Sequence, residues 1–149
     1  MLRTWLRILP LLLLIGSGIL LLEGLPILTE PFIRGMGLPF GTLVVWVGIT
    51  MVPLSILTGI RLIRKPISLV YRFYHRAFWI LTALSSLWGP VSYLLAGNWT
   101  YTFTRNEGFR GSNLAFSVFI YFTAITIALS LLMFIIFGIH HFILQHKKK

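Results

Sequence analysis

Residues 113–144 read NLAFSVFIYFTAITIALSLLMFIIFGIHHFIL and contain no acidic side chain, no lysine and no arginine. An apolar run of about 18 or more residues with few charges is typical of a transmembrane helix. With a rise of about 1.5 Å per residue, a helix over this stretch is about 48 Å long, more than the roughly 30 Å of a bilayer core. The stretch therefore predicts a membrane-spanning helix that tilts or protrudes from the bilayer.

The composition of the whole chain agrees with a lipid environment. Of its 149 residues, 57% are hydrophobic and 11% are charged, and the mean hydropathy is +0.89. Because an average soluble domain carries about 25% charged residues, this chain has too few polar groups to cover a globular surface. Cysteine is absent, which excludes disulfides, thiolate metal sites and thiol nucleophiles.

Three further apolar runs precede this stretch. The first, at about 6–22, follows a basic segment and lacks a small-residue cleavage site, so it favours a retained helix over a cleaved signal peptide. The others cover about 41–63 and 77–96. We predict an all-α integral membrane bundle of four transmembrane helices forming a single domain over residues 1–149, with the fourth span at 113–144.

The predicted spans are joined by segments of different character. Residues 24–40 are rich in proline and glycine but still apolar, which predicts a loop at the membrane interface, with a re-entrant loop as the alternative. Residues 97–112 are the longest polar stretch and contain a glycosylation sequon at Asn98. Gly89 and Pro90 inside the third run indicate a kink.

The cations are distributed unequally over the two predicted faces. Of the 13 lysines and arginines, ten lie on one face, which holds no carboxylate: Arg3, Arg7, Arg61, Arg64, Lys65, Arg72, Arg76, Lys147, Lys148 and Lys149. The remaining three cations share the other face with all three carboxylates: Arg34, Arg105, Arg110, Glu23, Glu30 and Glu107. Since basic residues in short loops stay in the cytoplasm, we predict a multi-pass protein with the basic loop and both termini cytoplasmic.

The segment 61–76 is a candidate binding site. It holds five cations and no acidic residue: Arg61, Arg64, Lys65, Arg72 and Arg76. Such a cluster attracts anionic lipids or an acidic partner subunit, although it also serves as a plain topology signal. Because a guanidinium binds phosphate or carboxylate through two parallel hydrogen bonds, we hypothesise that Arg64, Arg72 and Arg76 make such contacts. Nucleic acid is not expected, since the aromatics in this region fit an interfacial belt.

Three histidines are candidate cofactor ligands. His75 precedes the third span, and His140 and His141 lie near the end of the fourth, so an antiparallel bundle places them at one depth. Two histidines on neighbouring helices at one depth are able to ligate a b-type haem. The alternative is that they are interfacial anchors. On that alternative, which we adopt, the chain binds no cofactor and no metal.

The sequence offers few other residues for catalysis or transport. No acidic residue, lysine or arginine falls in the middle of a predicted span, which argues against a proton relay or an ion-coupled transporter. No catalytic residue is predicted, because all the carboxylates lie in far-side loops. Small residues at four-residue spacing allow close helix packing within the chain or between subunits: Ser55 and Gly59, Ser85 and Gly89, Ala124 and Ala128.

Residues 49–96 contain a late proline, Pro53, a basic turn, an aromatic helix start at Phe78 and Trp79, and the pair Ser92 and Tyr93. This layout resembles the ferric-reductase-like transmembrane family, in particular the haem-binding membrane subunit that partners periplasmic methionine sulfoxide reductase. In that family a haem-ligating histidine precedes the Ser-Tyr pair by a few residues, whereas residues 88–91 here contain none. The resemblance implies a helical scaffold beside a redox complex, without that haem site.

These observations predict a non-catalytic accessory or assembly subunit of a larger membrane complex, with a redox or electron-transfer complex as one option. Its partners would be other integral membrane subunits and anionic lipids. One alternative is a b-haem-carrying electron-transfer subunit that uses His75 with His140 or His141. The other is a small lipid-binding or transport component.

Overall fold

The computed structural model describes residues 2–32, 37–101, 103 and 108–146, without the side chains of residues 2–4 and 6. The described chain is helical and holds no strand apart from one isolated bridge between Pro31 and Pro39. The prediction of an all-α fold is confirmed. Several charges of the predicted asymmetry lie outside the described residues: Arg34, Arg105, Glu107 and 147–149, together with the side chain of Arg3.

The described residues form six α-helices. They are α1 Leu2–Glu23, α2 Phe40–Gly59, α3 Arg61–Arg64, α4 Leu69–Ser86, α5 Trp88–Ala96 and α6 Asn113–His146, with a 3-10 turn at Pro26–Thr29. Within the described part, three segments are long and apolar enough to cross a membrane, fewer than the four predicted: Phe40–Gly59, Leu69–Ala96 and Asn113–His146. Helix α1 has 22 residues and is not one of these three segments.

Helix α4 begins at Leu69, well before the third span predicted at 77–96. The segment 61–76 is therefore not a loop, because only residues 65–68 lie outside α3 and α4. Pro66 disfavours the helical conformation in Lys65 before it, which ends α3, and Ser68 in an extended conformation precedes α4. The first turns of α4 are amphipathic: Tyr74 and Phe78 are buried, while Arg72, Phe73 and Arg76 are exposed.

The third span breaks between α4 and α5, as the Gly-Pro pair indicated. Pro90 has no N–H, so the carbonyl of Ser86, four residues earlier, loses its helical partner. Trp46 Nε1 of α2 donates to this oxygen at 2.8 Å, and Thr50 Oγ1 donates to the adjacent Ser85 oxygen at 3.3 Å. Because an unsatisfied carbonyl in hydrocarbon costs several kcal/mol, these bonds from α2 make the break tolerable in a membrane.

Helix α2 is the central element, since it packs against α1, α4, α5 and α6. Thr58 Oγ1 near its end donates to the Arg7 oxygen of α1 at 3.4 Å, and Thr42 Oγ1 near its start donates to the Trp99 oxygen at 3.0 Å. We call the end of the bundle with the start of α1, segment 61–76 and the end of α6 the basic end. The opposite end, with segments 24–39 and 97–112, is the far end.

Internal hydrogen bonds order the described parts of both far-end segments. Phe32 N donates to the Leu38 oxygen and Phe40 N to the Glu30 oxygen, both at 2.8 Å, so residues 30–32 lie beside residues 38–40. Asn98 is buried. Its Nδ2 donates to the Gly108 oxygen at 3.0 Å, and its Oδ1 accepts from Thr100 N at 3.0 Å. The sequon asparagine is thus used within the fold.

Candidate functional site at the basic end

Tyrosines of α4 and histidines of α6 form hydrogen-bonded pairs at the basic end. Tyr71 Oη lies 2.9 Å from His141 Nδ1, and Tyr74 Oη lies 3.2 Å from His140 Nδ1. Phe137, one turn earlier on α6, packs edge-on against the buried Tyr74 ring. These contacts fix the rotation of α4 against α6 at the basic end.

The second nitrogen of His141 sets the direction of its bonds. Gln145 Nε2 lies 3.0 Å from His141 Nε2 and can only donate, so Nε2 is the acceptor. In the tautomer that accepts from Gln145, the His141 ring carries its proton on Nδ1 and donates to Tyr71 Oη. The hydroxyl hydrogen of Tyr71 is left available for another acceptor.

His75 is engaged elsewhere. Its Nδ1 lies 2.9 Å from the Ile63 carbonyl oxygen, and its ring meets Trp79 edge-on. An Nδ1–H donor satisfies a carbonyl in the last turn of α3, so His75 fastens α3 to α4. The candidate haem ligands thus pair with different elements: His75 with α3, and His140 and His141 with tyrosines of α4. Among the described residues, no group of three His, Cys, Asp or Glu is placed to hold a metal ion.

The five cations of segment 61–76 divide into two groups. Arg64 is half-buried and its Nη1 donates to the Thr58 oxygen at 2.9 Å. A guanidinium there satisfies a terminal carbonyl of α2 and complements the helix dipole, so Arg64 stabilises the fold. The other four cations are exposed: Arg61, Lys65, Arg72 and Arg76. Of the three arginines expected to bind phosphate or carboxylate, Arg72 and Arg76 point outward and lie one turn apart.

The contacts of Tyr71 and Tyr74 with α6 were not predicted from the sequence. Both tyrosines were assigned to an aromatic belt because they lie in a basic, apparently non-helical segment. The spacing of Tyr71, Tyr74 and Phe78 places all three on one helical face, and His141 follows Phe137 by one turn. Reading the segment as a helix would have placed these side chains between α4 and α6.

Of the residues that carry the family resemblance, Ser92, Tyr93 and the stretch 88–91 lie toward the far end. Ser92 is buried and donates to the Gly89 oxygen at 2.7 Å, while Tyr93 stacks on Trp99 at 4.6 Å between ring centroids. Trp88, in the stretch that lacks a histidine, is buried and donates through Nε1 to Thr123 Oγ1 of α6 at 2.8 Å. Ser92 thus bonds within α5, Tyr93 contacts the segment after α5, and Trp88 joins α5 to α6. No family model, no curated protein and no solved structure matches this chain.

Proposed function

We propose that this chain is a four-span accessory or assembly subunit of a larger membrane complex, with its basic end in the cytoplasm. Helix α1 is the fourth span in this proposal, because it lies along α2 and is apolar between Arg7 and Glu23. The cation asymmetry supports the orientation. The resemblance of residues 49–96 to ferric-reductase-like proteins favours a redox complex as the assembly.

The outer face of α6 is the observation that carries this proposal. Only 17% of the most apolar window of α6 is buried inside the chain, against 39% in each of the other two spans. Ala124 and Ala128 lie on this exposed face, whereas the spaced pair Ser85 and Gly89 is buried in the bundle. The two alanines therefore contribute little to packing within the chain.

Small side chains have a specific use on a membrane helix. Lipid tails are as apolar as leucine, so a lipid-facing surface does not require alanine. Small residues at four-residue spacing let the backbone of another helix approach closely, which strengthens van der Waals packing. The pair Ala124 and Ala128 thus favours a helix of a neighbouring subunit as the occupant of this face.

The proposed association is tested by purifying the chain in mild detergent from cells that express it at its native level. We expect the chain to migrate with larger integral membrane proteins. The double variant Ala124→Phe and Ala128→Phe should lose these partners while keeping its helix content. Leu132→Phe is the matched control, since it enlarges a side chain that is large and exposed already. A chain that migrates alone, or a double variant that retains the partners, refutes the proposal.

The orientation has its own test. The chain has no cysteine, so Ser112→Cys at the far end and Gln145→Cys at the basic end each provide a single label site. Both positions are exposed. In sealed vesicles a membrane-impermeant maleimide should reach them from opposite sides. Labelling of both from the same side excludes the proposed arrangement.

A further inference from the structure

A cavity of about 580 Å³ opens at the basic end, between the α3–α4 turn and the end of α6. Its polar wall consists of Ser68, Tyr71, His141 and Gln145, and its apolar wall includes Leu62 and Leu144. The volume is within the range of about 300–1,000 Å³ found for small-molecule sites. A ligand of this cavity would meet hydrogen-bond donors on one side and hydrocarbon on the other.

The polar wall is a directed chain of donors. In the His141 tautomer protonated on Nδ1, Gln145 donates to Nε2 at 3.0 Å and Nδ1 donates to Tyr71 Oη at 2.9 Å. Because hydrogen bonds in a chain polarise one another, the free hydroxyl hydrogen of Tyr71 becomes a stronger donor. Ser68 adds a second hydroxyl, since its side chain makes no capping bond to α4. The wall is therefore suited to an oxygen acceptor.

The surroundings favour an acceptor with negative charge. Lys65 and Arg72 are exposed and lie within three residues of the lining residues Ser68 and Tyr71 in the sequence, and no described carboxylate lies at the basic end. Ile67, which also lines the cavity, is 81% exposed, so a large apolar side chain lies at the opening. A ligand that satisfies both features carries an anionic head and a hydrocarbon chain.

We infer that this cavity binds the headgroup of an anionic phospholipid, with a phosphate oxygen accepting from Tyr71 and the acyl chain along Leu62 and Leu144. The inference rests on the membrane placement proposed above but not on a partner subunit. This site differs from a general electrostatic attraction of anionic lipids to segment 61–76, because binding requires the uncharged hydroxyl of Tyr71. Lys65 and Arg72 contribute charge at the opening.

The test uses the isolated full chain in a neutral detergent, so it is independent of whether a partner subunit exists. Phosphatidylglycerol and phosphatidylcholine of equal chain length are titrated in parallel, and the thermal midpoint is followed. A ligand that binds the folded state raises this midpoint with concentration. We expect phosphatidylglycerol to raise it and phosphatidylcholine to do so far less. Inorganic phosphate alone should leave it unchanged.

The decisive variant is Tyr71→Phe, which removes the hydroxyl and keeps the ring. It should need about tenfold more phosphatidylglycerol for the same shift, as expected for the loss of one hydrogen bond to a charged group. Tyr121→Phe, on the exposed face of α6, should titrate as the unchanged chain does. If Tyr71→Phe does not fold, Gln145→Leu at the exposed end of α6 tests the same donor chain. Equal shifts by both lipids, an equal shift by phosphate alone, or a folded variant that titrates normally overturns the inference.

Discussion

Replacing Gly89 by alanine tests how the broken third span is held against α2. A methyl group at this position would overlap the indole ring of Trp46. That ring is not free to withdraw, because its Nε1 donates to the Ser86 oxygen at 2.8 Å and its face stacks on Trp99 at 6.5 Å. The substitution therefore forces either a separation of α2 from α5 or the loss of these contacts.

The expected loss of stability follows from these contacts. Overpacking a tight site costs about 1–3 kcal/mol. An interhelical hydrogen bond in a membrane protein contributes about 0.6 kcal/mol on average and at most about 1.7. Alanine has the better helix propensity, which offsets up to about 1 kcal/mol. We expect Gly89→Ala to lower the free energy of unfolding by about 1–3 kcal/mol.

The assay is reversible unfolding in mixed micelles with increasing SDS, followed by tryptophan fluorescence and circular dichroism. Gly18→Ala is the matched control, because it lies inside α1 with no atom within 4 Å of the added methyl, and we expect it to be neutral or slightly stabilising. In the background Trp46→Leu, Gly89→Ala should cost much less, since the overlapping ring is gone. Equal stability of the two alanine variants would refute the close packing of Trp46 on Gly89.

Three further outcomes are expected. Asn98→Ala removes three hydrogen bonds of the far-end loop and should lower the thermal midpoint by a few degrees, and the unaltered chain should carry no glycan at Asn98 in a glycosylating host. The purified chain should show no Soret band. A haem spectrum that disappears in His75→Ala would contradict this. Arg64→Ala loses the bond to the Thr58 oxygen and should destabilise by about 1 kcal/mol, measured by SDS unfolding, while cysteine labelling shows an unchanged orientation.

The sequence predicts the most apolar helix well. The span expected at 113–144 is the observed α6, Asn113–His146, because an unbroken apolar run has no competing interpretation. The break signalled by Gly89 and Pro90 is also found. In both cases the deciding physics is local: hydrocarbon requires helical hydrogen bonding, and proline removes one donor.

The third span was predicted to start too late in the chain, because its arginines drew attention away from the helical spacing of the buried residues. Arg72 and Arg76 suggested a loop, yet one turn of α4 separates them and they share its exposed face, opposite the buried Tyr74. An arginine on the water-facing side of a helix end is compatible with a membrane protein, since its head reaches the interface. Amphipathic spacing, and not the number of charges, marks the beginning of this helix.

The tyrosine–histidine pairs depend on tertiary structure. Whether Tyr71 meets His141 depends on the rotation of α4 about its axis and on the depth at which α6 passes it. Both are set by distant contacts, such as the bond from Trp88 of α5 to Thr123 of α6. The sequence gives the depth of the histidines but not these rotations, so it predicts interfacial anchors, with haem ligation as the alternative, and does not predict the tyrosine partners.

The two ends of the bundle use their polar side chains differently. Near the far end, the indole donors of Trp46 and Trp88 and the amide of Asn98 are all bonded to groups of the chain itself. Such bonds hold helices together where hydrophobic association is absent. At the basic end, the corresponding chain of donors ends in Tyr71, whose hydroxyl hydrogen faces a cavity. The buried packing of Leu57, Tyr74 and Phe137 also joins α2, α4 and α6 at the basic end, so a change of partner at the Tyr71 hydroxyl would not separate these helices.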